Sequence, residues 1–342
     1  MKRVLLPCSL VMWMLLATVV FAQETTADGG LPRSAAGQIL FTRDEGVYVI
    51  NGDGSGEQQL FTVPEIFPLV TWMPDGNQIV YADGGSLYLV QADGSNPQQL
   101  FATTAASTRD DLLPSPDGTH LLWSVDQGPG NTRSIYVGDI VSGEVQTIVE
   151  AAAYEVVSWL ADSSHILVYH DAALYVVSLD GGDERLLAEG EGALSPDGTL
   201  LASFAGNTET ISTAFTISAA DAGSTLYSLE QAGLAYSVSW SPDGHYAGYV
   251  INRLSVTGEN LASVETIDAT SGEVRIHTPT HLRGEYGNIS WSPDSQHIAF
   301  TARAMGRSTP PSTMLYVVSL DSESIAAVAQ VTSVGIAVGW RP

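Results

Sequence analysis

The chain has 342 residues, with 38 acidic and 13 basic side chains and a net charge of −25. That balance excludes nucleic acid as a partner, because phosphates need a basic surface, and it argues equally against docking on anionic lipid. Lys2 is the only lysine and Cys8 the only cysteine, so beyond residue 22 every formally charged basic group is an arginine, and neither a disulfide framework nor a thiol nucleophile is available.

Residues 1–22 read as a signal peptide. Lys2 and Arg3 form a basic start, Val4–Val20 is almost wholly apolar, and Val20-Phe21-Ala22 ends in the small-residue pattern of a cleavage site before Gln23. Retained, the same segment is nearly long enough to anchor in a bilayer. Cleavage makes the mature chain secreted or periplasmic. Residues 23–36 are polar and rich in Gly, Ala and Thr, the composition of a flexible leader. No later apolar run approaches membrane-spanning length, so no membrane insertion of the mature chain is expected.

From residue 37 onward one phrase recurs. It reads "WMPDG" (72–76), "PSPDG" (114–118), "WLADS" (159–163), "LSPDG" (194–198), "WSPDG" (240–244) and "WSPDS" (291–295). Pro fixes φ at the first central turn position, Asp offers an Asx-type hydrogen bond, and Gly supplies a positive φ. An alternating apolar strand follows each turn ("QIVYA", "HILVY", "HIAFT"), then a second ("SLYLVQ", "ALYVVS", "MLYVVS"), then a polar turn and a short last strand. Four strands per repeat of roughly 40–45 residues is the period of a β-propeller blade. The Trp before the turn belongs on the innermost strand, in the wedge between neighbouring blades.

The two ends complement each other. Residues 37–62 hold strands two to four of a unit, and "SVGIAVGWRP" at the C-terminus reads as the missing first strand with Trp340. The expectation is therefore an all-β, seven-bladed propeller over residues 37–342, built of four-stranded antiparallel blades and closed by the C-terminal strand joining the N-terminal blade. Closure of this kind removes free sheet edges. Six blades is the alternative.

The "WSPDG…IAF…LYVV…DG…L" pattern resembles the TolB-like, WD-related propeller repeats of bacterial envelope proteins and covers nearly all of the chain after the apolar segment. That resemblance implies the fold and an envelope or extracellular setting. TolB carries an α/β domain ahead of a six-bladed propeller, whereas here residues 23–36 alone precede the first strand and seven blades are counted. Propellers of prolyl-oligopeptidase-like peptidases are similar but precede a hydrolase domain, and this chain has no Gly-x-Ser-x-Gly elbow. Oligogalacturonate lyases also look similar, and they use channel histidines with a metal.

Strand order puts the short Pro-Asp-Gly turns on one face and the variable second-to-third and inter-blade loops on the other, where binding usually resides. Seven arginines map to that variable-loop face: Arg43, Arg133, Arg253, Arg303 and Arg307 between second and third strands, Arg109 and Arg283 between blades. They form either surface pairs, such as Arg43 with Asp44, or a rim for carboxylate or phosphate groups. Phe67, Tyr154, Tyr236 and Tyr286 fall at the channel mouth beside Asp110, Glu155, Glu189 and Glu285, a mixture suited to sugars or peptide side chains or, more simply, to capping the core.

His120, His165 and His297 share one repeat position and read as polar strand starters. His170, His277 and His281 break the repeat and are the weak metal candidates, though Pro279 prevents "HTPTH" from presenting two ligands on a helical turn. "NGDGSGE" (51–57) is a hairpin turn, since Thr62 stands where a calcium loop needs glutamate. No cofactor and no catalytic residue is assigned. The leading expectation is a binding or scaffold module for a protein, peptide or glycan on the variable-loop face. The alternative is a polysaccharide-active, uronate lyase-like enzyme with its site in the central channel.

Overall fold

A computed structural model describes residues 37–65, 69–102, 108–127, 132–152, 154–180, 182, 184–207, 212–221, 223–254, 260–278, 286–303, 313–321, 325–331 and 339–342. Within these, the backbone alone is described at 108–110, 151–152, 207, 236, 253–254, 260–261, 286–288 and 303. The segments expected to be a signal peptide (1–22) and a flexible leader (23–36) lie outside the described residues.

Seven four-stranded antiparallel sheets make the seven blades of a β-propeller. Blade 1 orders its strands as Gly339–Trp340, Gln38–Arg43, Gly46–Asn51 and Gln58–Thr62, so the C-terminal strand is its innermost member. The innermost strands of blades 2 to 7 are Val70–Trp72, Thr108–Pro114, Glu155–Trp159, Glu191–Leu194, Leu234–Trp240 and Tyr286–Trp291. Each touches its neighbour around a closed ring, Gly339–Trp340 lying between those of blades 7 and 2. The six-bladed alternative is set aside.

The turns work as their sequence requires. At residues 115–120 the Ser115 hydroxyl donates to Asp117 Oδ1 at 2.6 Å and accepts the His120 N–H at 2.9 Å, while Asp117 Oδ1 also accepts the Thr119 N–H. These donors, the serine foremost, hold the Asp117 carboxyl down to about 2. The same bonds recur around Asp197 and Asp243. Gly118 and Gly198 both take φ +71°. In "WLADS" and "WSPDS" the serine adopts the glycine conformation, φ 55° at Ser163 and 59° at Ser295. Each hydroxyl then accepts the turn aspartate's N–H from the preceding blade, Asp117 and Asp243, at 3.1 Å. That bond offsets the cost of a positive φ outside glycine.

The tryptophans do more than fill wedges. Each innermost-strand indole N–H donates to the preceding blade's innermost strand, one residue short of its anchor. Trp72 reaches Gly339 O, Trp159 reaches Leu113 O, Trp240 reaches Ala193 O and Trp340 reaches Ser290 O, at 2.8–3.2 Å. Trp291 reaches the Ser239 hydroxyl instead, at 3.1 Å. Blades 3 and 5 carry Pro114 and Leu194 at this position, so two of the seven junctions lack the indole.

Candidate functional site

On the variable-loop face a cleft of about 370 Å³ opens at the channel mouth between blades 4, 5 and 6. Glu155, Glu191, Tyr169, Phe204, Ser237 and Val238 line it. Glu155 and Glu191 begin the innermost strands of blades 4 and 5, which brings two carboxylates to one wall. Partial burial, and then the neighbouring Glu155 charge, raise the Glu191 carboxyl above its ordinary range. Burial, then Glu191 and Glu155, push the Tyr169 phenol up as well.

Local sequence explains the placement of Glu191. It sits between Gly190, at φ +83°, and Gly192, where a Cβ would collide with the Ala202 carbonyl oxygen. Only glycines let this strand lie so close to its neighbour. Innermost strands near the mouth are also bulged, between Val156 and Ser158 in blade 4 and between Tyr236 and Ser239 in blade 6. Ser237, inside the second bulge and on the cleft wall, holds φ 59°. Bulges re-aim side chains beside functional sites.

Two groups expected on the variable-loop face are already engaged by carboxylates of their own blades, and Arg43 also donates to Gln330 O of blade 7 at 3.5 Å. Arg43 lies 4.3 Å over the Tyr48 ring and pairs with Glu57 at 2.6 Å, which raises its pKa further. Glu57, 14 residues along the chain, thus holds it. His170 repeats the device in blade 4: its ring stacks on Tyr175 with centroids 4.1 Å apart, and Nε2 lies 2.5 Å from Glu184 Oε1. Tyr154 covers the other face of His170 at 4.1 Å and directs its hydroxyl to Glu184. Tyr154 therefore packs on blade 4, and the tyrosine in the cleft is Tyr169.

The other candidates distribute as follows. Backbone positions place Arg133, Arg253 and Arg303 at strand ends toward the variable-loop face, and Arg109 within the innermost strand of blade 3 rather than in a loop. The side chains of Arg109, Arg253, Arg303, Tyr236 and Tyr286, with that of Asp110, lie outside the described residues, as do Phe67, His281, Arg283, Glu285 and Arg307 entirely. Glu189 ends the outermost strand of blade 4, and Glu191 takes the cleft position that sequence spacing gave to it.

His277 follows the outermost strand of blade 6, so it and His170 belong to different blades. His277 is 5% exposed, meets the Thr266 hydroxyl at 2.8 Å through Nε2, and has no hydrogen-bond partner at Nδ1. Among the described residues no cluster of three His, Cys, Asp or Glu side chains could hold a metal. His120 and His165 begin strands as expected, and so does His297, which is buried near Trp340 rather than exposed.

This geometry defines a seven-bladed propeller with a ligand-sized acidic cleft at one channel mouth. No family model and no curated protein matches the chain. Solved structures do, and by them the chain is a TolB-like β-propeller in fold. TolB from Acinetobacter baumannii aligns over 90% of this chain and 67% of its own, at 15% identity and a TM-score of 0.55. An oligogalacturonate lyase in complex with manganese aligns over 80% of this chain and 82% of its own, at 15% identity and a TM-score of 0.61. The oligogalacturonate lyase from Vibrio parahaemolyticus aligns over 78% and 88%, at 14% identity and 0.60. At such identities the likeness is one of fold, which many functions share.

Proposed function

We propose that this protein is a secreted or periplasmic binding or scaffold propeller that recognises a protein, peptide or glycan at the variable-loop mouth of its channel. The observation that carries this reading is the cleft holding Glu155, Glu191 and Tyr169. Two carboxylates beside a phenol suit hydrogen-bond donors and positive charge, such as ammonium, guanidinium or sugar hydroxyls. The arginines Arg109, Arg133, Arg253, Arg283, Arg303 and Arg307 belong to blades 3, 6 and 7 or to the chain segments beside them. A partner bearing both signs of charge, as a peptide does, matches this division best.

Screening peptide and glycan arrays identifies ligands, and calorimetry on the hits tests the site. Glu191→Gln is expected to weaken a true ligand by about 1–2 kcal/mol, roughly 5–30-fold. The same change is expected to raise the melting temperature at pH 7. Because the folded-state pKa is raised, Glu191 contributes stability below its unfolded pKa and loses it as pH rises through the folded value. Unchanged affinity for every hit removes the cleft from the site. Replacing Arg303 and Arg307 with alanine is expected to weaken an anionic ligand, while the same change at Arg185 and Arg275 costs little, Arg275 being paired with Glu273.

A second reading, a polysaccharide-active enzyme, is supported by the raised Glu191 carboxyl beside Tyr169, which suits general acid–base work. The likeness to oligogalacturonate lyases makes polygalacturonate, with and without manganese, the substrate to try. Turnover lost in Glu191→Gln would replace the binding reading.

A further inference from the structure

Two clefts open on the Pro-Asp-Gly turn face, opposite the mouth just described. One, of about 330 Å³, lies between the turns of blades 2 and 3, and the other, of about 310 Å³, between blades 4 and 5. These are the two junctions whose following blade lacks tryptophan, with Pro114 and Leu194 in its place. The first is mixed, with Asp75, Gln78 and Asp117 set among Met73, Pro74 and Pro116. The second is mainly apolar: Trp159, Leu160, Ala161, Leu194 and Pro196 line it, together with Ser158.

The molecule shows five times what fits between blades here. At each filled junction an indole lies in the wedge and donates to the preceding strand, one residue before that strand's anchor. At the junction of blades 4 and 5 the corresponding residue is Ser158, one before Trp159, and Leu194 is too short to reach across. Burial agrees. Trp72, Trp240, Trp291 and Trp340 are all buried, whereas Trp159, on the wall of this cleft, is only half-buried, and so is Leu194.

We infer that the cleft between blades 4 and 5 is a receptor for an indole side chain presented by a peptide partner. The ring lies between Leu194 and the half-buried Trp159, where its apolar faces leave water, and its N–H is directed at Ser158. Pro116 and Pro196 on the adjacent turns hold the entrance in fixed geometry, so little order has to be imposed on binding. The site stands apart from the acidic cleft and does not depend on that reading.

The probe is N-acetyl-tryptophanamide, with N-acetyl-leucinamide as the control, titrated into the mature chain and followed by ligand-observed NMR. The tryptophan probe is expected to bind at least tenfold tighter than the leucine one. Leu194→Trp fills the cleft from within and is expected to raise the melting temperature by about 2–4 °C and abolish probe binding. Ala161→Phe changes an exposed residue on the cleft wall, keeps the fold, and is expected to weaken the probe at least tenfold. No selective binding of the tryptophan probe at millimolar concentration, or binding unchanged in Ala161→Phe, overturns the inference. Should Leu194→Trp fail to fold, the Ala161→Phe titration decides alone.

Discussion

Deleting residues 339–342 is expected to unfold or aggregate the propeller at temperatures the intact chain withstands. Gly339 and Trp340 pair with Leu40 and Ile39, so their loss leaves the strand Gln38–Arg43 as an open edge, the template on which sheets aggregate. Trp340 is also buried in the cluster of Ile39, Phe41, Ile50, Leu315 and Val317, which joins blade 7 to blade 1. Two indole bonds fail at once, since Trp340 donates to Ser290 O and Trp72 donates to Gly339 O. Arg341 adds a third tie, with its N–H on Gln38 O at 2.7 Å and its guanidinium 5.3 Å over the Trp72 ring. Trp340→Ala alone removes the ring but keeps the strand, and is expected to cost about 3–5 kcal/mol. Urea unfolding with size-exclusion chromatography measures both variants. A truncated chain that stays monomeric with an unchanged melting temperature would mean that the ring is not closed by this strand.

Much of this architecture was legible because the chemistry that makes a blade is local. Ser115, Asp117 and Gly118 close one turn within six residues, so each copy of the phrase announces itself without knowledge of the rest. The split first blade was legible for the same reason, since a lone Trp340 phrase has only one place to go. The site was less so. Blade 5 has a four-residue innermost strand, Glu191–Leu194, and spacing borrowed from longer blades pointed two residues too early, to Glu189. Arg43 and His170 lie 14 residues from the carboxylates that hold them, across two strands of the blade, so a neighbouring acid was the natural partner to expect. A signal did exist. Arg43, Tyr48 and Glu57 have the same spacing as His170, Tyr175 and Glu184, and aligning blades 1 and 4 on the tyrosine would have exposed it. The indole bonds between blades had no such signal, because acceptor and donor meet only once the ring has closed.

Acidification is expected to weaken the fold well before the turn aspartates begin to protonate, and His277 is the cause. Its imidazole lies behind the outermost strand of blade 6, bonded to Thr266 through Nε2 and unpartnered at Nδ1. Burial above all, then the Arg275 charge, lowers its pKa to about 4 from an ordinary 6.5, against an opposing pull from the buried Glu265. The unfolded chain therefore takes up a proton near pH 6.5 that the folded chain refuses until pH 4. Stability is complete above the unfolded pKa, falls as pH drops from 6.5 towards 4, and levels off below, where both states are protonated. A depression of that size corresponds to about 3 kcal/mol across the window. Asp117, held down to about 2, acts lower: its contribution is present above the ordinary aspartate range and is lost as pH falls towards 2. The two steps are thus separable. His277→Phe keeps a ring of similar size in the same place and removes the titration, at the cost of the Thr266 bond. Urea unfolding at pH 7.0, 6.0, 5.0 and 4.5 is expected to show a steep decline for the native chain and a much shallower one for the variant. Parallel slopes in the two proteins would assign the acid sensitivity to other groups, and would mean that His277 takes up its proton over the same pH range in folded and unfolded chains.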